Sequence, residues 1–165
     1  MLLTRSAPNL SQKGQLLRGS GKVTKPIRAV LDTNVFVSAA LSKNPSSPTR
    51  EVIERWKHGE FALLICIPLA EEIAEKLLDH SIDIDKVSAL VETLASLAEW
   101  VEIPPEEIEP LLSDPDDNVI VACAVEGGAN YLVTYDPHFD SLQGEYCGVK
   151  IVKAIPFLEV LRANQ

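Results

Sequence analysis

The run "AVLDTN", residues 29–34, sets an aspartate directly behind apolar residues, and "YLVTYD", residues 131–136, repeats the arrangement. A third acidic group, "DPDDN" at 114–118, stands before the apolar run "VIVACAV". Carboxylates in such places either cap helices and start turns or gather around a hard divalent cation. Each position admits both readings. Asp32 can cap a helix formed by "TNVFVSAAL", while Thr33 and Asn34 offer side-chain hydrogen bonds that would fix its carboxylate. Asp114, followed by Pro115, has the chemistry of a helix start and reads mainly as a cap. Asp117 is different, because helical spacing puts it on one face with Ile120, Val121 and Ala124, toward the core. It ranks first as a ligand in that block, with Asp116, which points further round, second. Asp136 can start an Asp-Pro turn, Thr134 can hydrogen-bond a neighbouring carboxylate, and Asp140 can extend the acidic surface. In "PLAEEIAEKLLDH", residues 68–80, Leu69, Ala70, Ile73 and Leu77 form the buried stripe. Glu72 lies nearer its margin than Glu71 or Glu75 and is the candidate there.

Brought together without an adjacent lysine or arginine, Asp32, Glu72, Asp117 and Asp136 would repel one another and retain protons unless cations fill the site. Oxygen-only ligands favour Mg²⁺ or Mn²⁺ over Zn²⁺. Such ions orient water, lower its pKa and stabilise charge on a phosphoryl oxygen, which points to phosphodiester hydrolysis. His58, His80 and His138 are scattered without a His-x-x-x-His pair, which argues against a histidine metal site. Cys66, Cys123 and Cys147 are odd in number and widely spaced, and read as small buried residues in a reducing compartment.

The elements that must position these acids follow from apolar patterning. Short apolar runs near 28–31, 62–66, 100–103, 131–133 and 149–153 read as five strands buried on both faces. Between them, helical periodicity covers 33–41, 49–58, 68–80, 84–98, 114–127 and 154–162. Alternation of this kind makes an α/β domain with a mainly parallel sheet, whose ligands gather at the carboxyl ends of the strands. All three acidic places lie at strand exits or helix entrances of that edge. No run reaches the roughly eighteen apolar residues of a membrane span, and no secretory signal is present, so a soluble, cytoplasmic protein is expected.

Charge divides the chain in two. Residues 1–27 carry Arg5, Lys13, Arg18, Lys22 and Lys25 without an acid, and their composition favours disorder, as a solubilising tail or, alternatively, a leader that touches polyanions. Residues 28–165 hold ten basic against 24 acidic residues, a net of −14, and form the single expected domain.

Four segments, "AVLDTNVFVSAAL", "IPLAEEIAEKL", "DPDDNVIVACAVEGGANYLVTYDPHF" and "VKIVKAIPFLEVL", carry a resemblance to the PIN domain, specifically the toxin-component group of prokaryotic toxin–antitoxin systems. It spans about Arg28 to Leu161, and the leader has no counterpart in it. The resemblance implies a three-layer α/β/α fold and a metal-dependent ribonuclease site. Its acids fall on Asp32, Glu72, Asp117 and Asp136, with Thr33, Asn34 and Thr134 in supporting polar positions. It also implies RNA as substrate, homodimerisation and inhibition by a small antitoxin protein. A polyanion gains no general attraction from a domain at −14, so Lys43, Arg50, Lys57 or the leader would have to hold flanking phosphates. Two rivals stand beside this reading. One is an aspartate-dependent phosphatase, weakened because Asn34 occupies the second acidic position of Asp-x-Asp. The other is a PIN-like binding module without catalysis, in which the acids serve only as caps. The chain has no Gly-x-Ser-x-Gly elbow, Walker loop or Gly-x-Gly-x-x-Gly.

Overall fold

Ala29, Val30 and Leu31 are all fully buried, although successive strand residues point to opposite sides. The sheet is therefore covered on both faces around strand β1 (Arg28–Leu31). The structure, a computed structural model, describes residues 25–165. The predicted disorder of the leader lies outside the described residues, apart from Lys25 to Ile27, of which Ile27 is buried and accepts a hydrogen bond from the Ala62 N–H.

After β1 come α1 (Thr33–Leu41), α2 (Pro48–Lys57), β2 (Ala62–Ile65), α3 (Ile67–Asp79), α4 (Ile84–Leu97) and β3 (Glu99–Trp100). The second half contains α5 (Pro115–Glu126), β4 (Tyr131–Val133), β5 (Glu145–Tyr146), β6 (Val149–Val152) and α6 (Ala154–Ala163), with 3-10 turns at Pro105–Glu107 and Pro137–Leu142. The strand order is β3-β2-β1-β4-β6-β5, parallel throughout except that β5 runs against β6. Val30 pairs with Leu64 on one side and with Leu132 on the other.

Helix packing follows the sequence periodicity. Leu69, Ile73 and Leu77 recur every fourth residue and bury one stripe of α3, while Ser47 caps α2 and Pro48 opens it. α5 is buried nearly all round, from Asp117 to Ala124, with only Val119 partly open. Its Asn118 amide is satisfied within the fold, accepting from the Leu112 N–H (2.7 Å) and donating to the Leu112 carbonyl (3.1 Å). Two glycines end the helix for different reasons. Gly128 takes the left-handed conformation (φ 67°), whereas at Gly127 a Cβ would stand 2.9 Å from Leu64 and Val101 side-chain atoms. No side chain fits there without displacing β2 or the loop after β3.

Three expectations are corrected. The sheet has six strands, not five, because a two-residue strand, β5, forms a hairpin with β6. Its turn residues Cys147 and Gly148 both have positive φ (49° and 81°), as two-residue hairpin turns demand. Cys147, expected in the core with Cys66 and Cys123, is exposed at that turn. The third strand covers 99–100 in place of 100–103; the Val101 N–H makes one more bond to the Ile65 carbonyl, and Pro104 has no N–H to continue.

The chain leaves β1 for β2 on one side and later adds β4 on the other, so the direction of winding reverses between β1 and β4. Such a reversal opens a crevice at the carboxyl ends of the two strands. Asp32 and Thr134 are the first residues beyond them.

Candidate active site

Asp32 is held before it meets any ligand. Its N–H donates to the Val133 carbonyl (2.9 Å), which pins the end of β1 to the end of β4. Its side chain accepts from the Thr33 N–H (2.7 Å), from Thr134 Oγ1 (2.6 Å) and from Asn34 Nδ2 (3.3 Å). The supporting residues are themselves braced. Thr134 Oγ1 accepts from the Asp136 N–H (2.9 Å), Asn34 Oδ1 accepts from the Tyr135 N–H (3.2 Å), and the Thr33 hydroxyl donates to Glu72 on α3. Asp32 is 4% exposed. Burial pushes its pKa up, the Thr134 and Thr33 bonds pull it down, and the charges of Glu72 and Asp136 raise it further.

Asp117 sits in the first turn of α5 and is buried, as its place on the apolar face predicts, while Asp116 is exposed. Burial raises the Asp117 pKa to about 6; the contact with His138 opposes this, and Asp136, Asp114 and Asp32 add to it. Asp114 caps α5 by accepting from the Asp116 N–H (2.9 Å), and Asp136 caps the following 3-10 turn through the His138 N–H (2.9 Å). Capping and convergence are thus not alternatives here.

Asp32, Glu72, Asp114, Asp116, Asp117 and Asp136 line one cavity of about 330 Å³, together with Thr33 and Asn34. Thr134 lies buried beneath it, bonded to Asp32. Asp140 lines a different, smaller cavity. Glu72 is half-buried, and Glu71 and Glu75 are exposed.

Two features escaped the sequence. The cavity is not free of basic side chains: Lys76 and His80 follow Glu72 at successive four-residue steps along α3 and also line it. The helical spacing was a usable signal. Arg50 and Lys57 line a separate cavity. The second feature is His138, whose Nδ1 stands 3.1 Å from Asp117 Oδ2 and 3.4 Å from Asp136 Oδ1. Asp114, Asp117 and His138 each offer a ligand atom within 4.8 Å of the others. His138 stands 21 positions from Asp117 in the chain, so no local motif announces the grouping.

Crowded carboxylates, two with raised pKa, and few cations to offset them make a donor set that fits a hard divalent cation. The same set can orient water and neutralise charge on a phosphoryl group once an ion is held.

The pattern describing the PIN domain matches residues 28–138, well over half of the chain. PAE2754 from Pyrobaculum aerophilum shares 17% identity with a TM-score of 0.59, over 83% of this chain and 90% of that one. VapBC2 from Rickettsia felis, solved bound to a DNA fragment from its promoter, shares 16% identity with a TM-score of 0.52, over 76% of this chain and 97% of that one. No curated protein sequence matches. Among the described residues, no helix is long and apolar enough to cross a membrane.

Proposed function

The chain belongs to the PIN domain family, and on that premise we propose that it is a Mg²⁺- or Mn²⁺-dependent endoribonuclease, the toxin of a toxin–antitoxin pair. The observation that carries the reading is the convergence of Asp32, Glu72, Asp117 and Asp136 on one cavity at the sheet's switch point. Asp32, Asp117 and Asp136 would bind the ion directly, and Glu72, tied to Thr33, directly or through water. Asp116 is the further candidate.

A divalent ion held there supplies acidified water and offsets charge on the phosphoryl oxygens. The remaining work falls to the chain. Thr134, Thr33 and Asn34 fix the Asp32 carboxylate, so no reorganisation is needed when substrate arrives. Lys76 and His80, on the α3 side of the cavity, are placed to meet a neighbouring phosphate of the RNA. With most of the domain negative, this local pair favours a few contacts over a broad electrostatic grip.

A small antitoxin protein as partner, homodimerisation and a cytoplasmic setting complete the reading, supported by the family resemblance and by the fold shared with VapBC2. The test is cleavage of mixed RNA with Mn²⁺ by the wild-type chain and by Asp32→Asn. Loss of cleavage with an unchanged circular dichroism spectrum is expected. Equal cleavage by both would refute the assignment, and calorimetry showing no Mn²⁺ binding, with normal dimer or complex formation, would favour the binding-module reading.

A further inference from the structure

We propose that His138 is a nitrogen ligand of the divalent-ion site, making the site favour Mn²⁺ over Mg²⁺. This rests on the reading of the acid cavity as an ion site and adds a donor that the four acids do not include. His138 Nδ1 lies 3.1 Å from Asp117 Oδ2 and 3.4 Å from Asp136 Oδ1. Neighbouring ligands around an octahedral ion at about 2.1 Å stand roughly 3 Å apart, so an ion can replace the proton shared by these groups with little movement. Asp114 completes the set, with its ligand atom within 4.8 Å of the other two. The backbone that carries the imidazole is also fixed. Asp136 accepts the His138 N–H at 2.9 Å, Pro137 opens the turn between them, and Phe139 buries itself just beyond. The ring meets Asp117 through Nδ1 while remaining 55% exposed, open to an ion arriving from solvent.

A nitrogen donor changes selectivity for a chemical reason. Mg²⁺ prefers oxygen ligands and gives up water reluctantly, whereas imidazole suits the later divalent metals, and Mn²⁺ tolerates mixed sets better than Mg²⁺.

The experiment is Mn²⁺ titration of the full chain followed by pulsed electron paramagnetic resonance for ¹⁴N coupled to the bound ion. Wild type, His138→Gln and His80→Gln are compared, the last because His80 lines the same cavity. The inference expects ¹⁴N coupling in wild type and His80→Gln and none in His138→Gln. It also expects Mn²⁺ affinity to fall about tenfold or more in His138→Gln, with Mg²⁺ affinity falling by less. Bound Mn²⁺ without ¹⁴N coupling in wild type, or unchanged or tighter Mn²⁺ binding by His138→Gln, would overturn it and make the imidazole a counter-charge for the acids. Either result would leave the metal-dependent reading intact. Failure of wild type to bind Mn²⁺ at all would sink both, and ¹⁴N-coupled Mn²⁺ without RNA cleavage would sink only the ribonuclease.

Discussion

Two of the cavities in this molecule lie on either side of α1 and differ in kind. The larger, about 440 Å³, is walled by Phe36, Ala39, Ile53, Leu77, Ile82 and Leu90, and its acids Glu54 and Asp83 share the rim with Arg50, Lys57 and Lys86. Glu54 sits 3.9 Å from Lys57. The smaller brings six carboxylates around about 330 Å³ with Lys76 and His80 as its basic partners among the described residues, and His138 at its edge. Between these two, volume alone would favour the first. Uncompensated charge favours the second, where the described residues crowd carboxylates, two of them with raised pKa.

The largest effect should separate the two directly. Asp117→Asn is expected to lower Mn²⁺-dependent RNA cleavage by about a hundredfold or more, the loss of a few kcal/mol of charge stabilisation. Arg50→Glu, in the apolar cavity, should leave cleavage within about twofold. Comparable losses in both would erase the distinction.

The next effect is structural. Thr134→Val removes the shortest donor to Asp32 and the acceptor of the Asp136 N–H, and should cost about 1–3 kcal/mol in urea denaturation. It should also weaken Mn²⁺ binding measured by calorimetry.

A third comparison uses pH. The folded Asp117 pKa of about 6 lies above its ordinary 3.8, so its stabilising protonated form is present at low pH and lost as pH rises through 6. His138 is also raised, by its bond to Asp117 first and by the Asp136 charge, and its pairing is likewise lost with rising pH. The metal-free chain should therefore lose stability across this window. Mn²⁺, which competes with those protons, should raise Tm more at about pH 7.5 than at about pH 5. An equal rise at both would detach the ion from Asp117.

The smallest effect belongs to the sheet edge. Arg28 pairs with exposed Glu99 but also donates to the Gly127 carbonyl at 2.8 Å. Glu99→Ala should lower stability in urea denaturation by no more than about 1 kcal/mol.

Asp32 and Asp136 were legible because each stands just past an apolar run, and a buried parallel strand marks its own end sharply. Asp32 after "AVL" and Asp136 after "YLVTY" need no tertiary knowledge. Helical spacing likewise separated buried Asp117 from exposed Asp116 and half-buried Glu72 from Glu71. What escaped depends on contacts made across the chain or on elements too short to carry a period. His138 earns its place only when α5 and the turn after β4 are adjacent, and β5 has two residues and no alternation to read. Cys147 was misplaced for a related reason, since only the hairpin turn accounts for its exposure.

The most direct measurement is RNA cleavage by the purified chain stripped with a chelator and then supplied with Mn²⁺. Cleavage should vanish on stripping and return with the ion, together with a rise in Tm. Undiminished cleavage in excess chelator would contradict the account, because the crowded carboxylates would then act without the counter-charge that their arrangement requires.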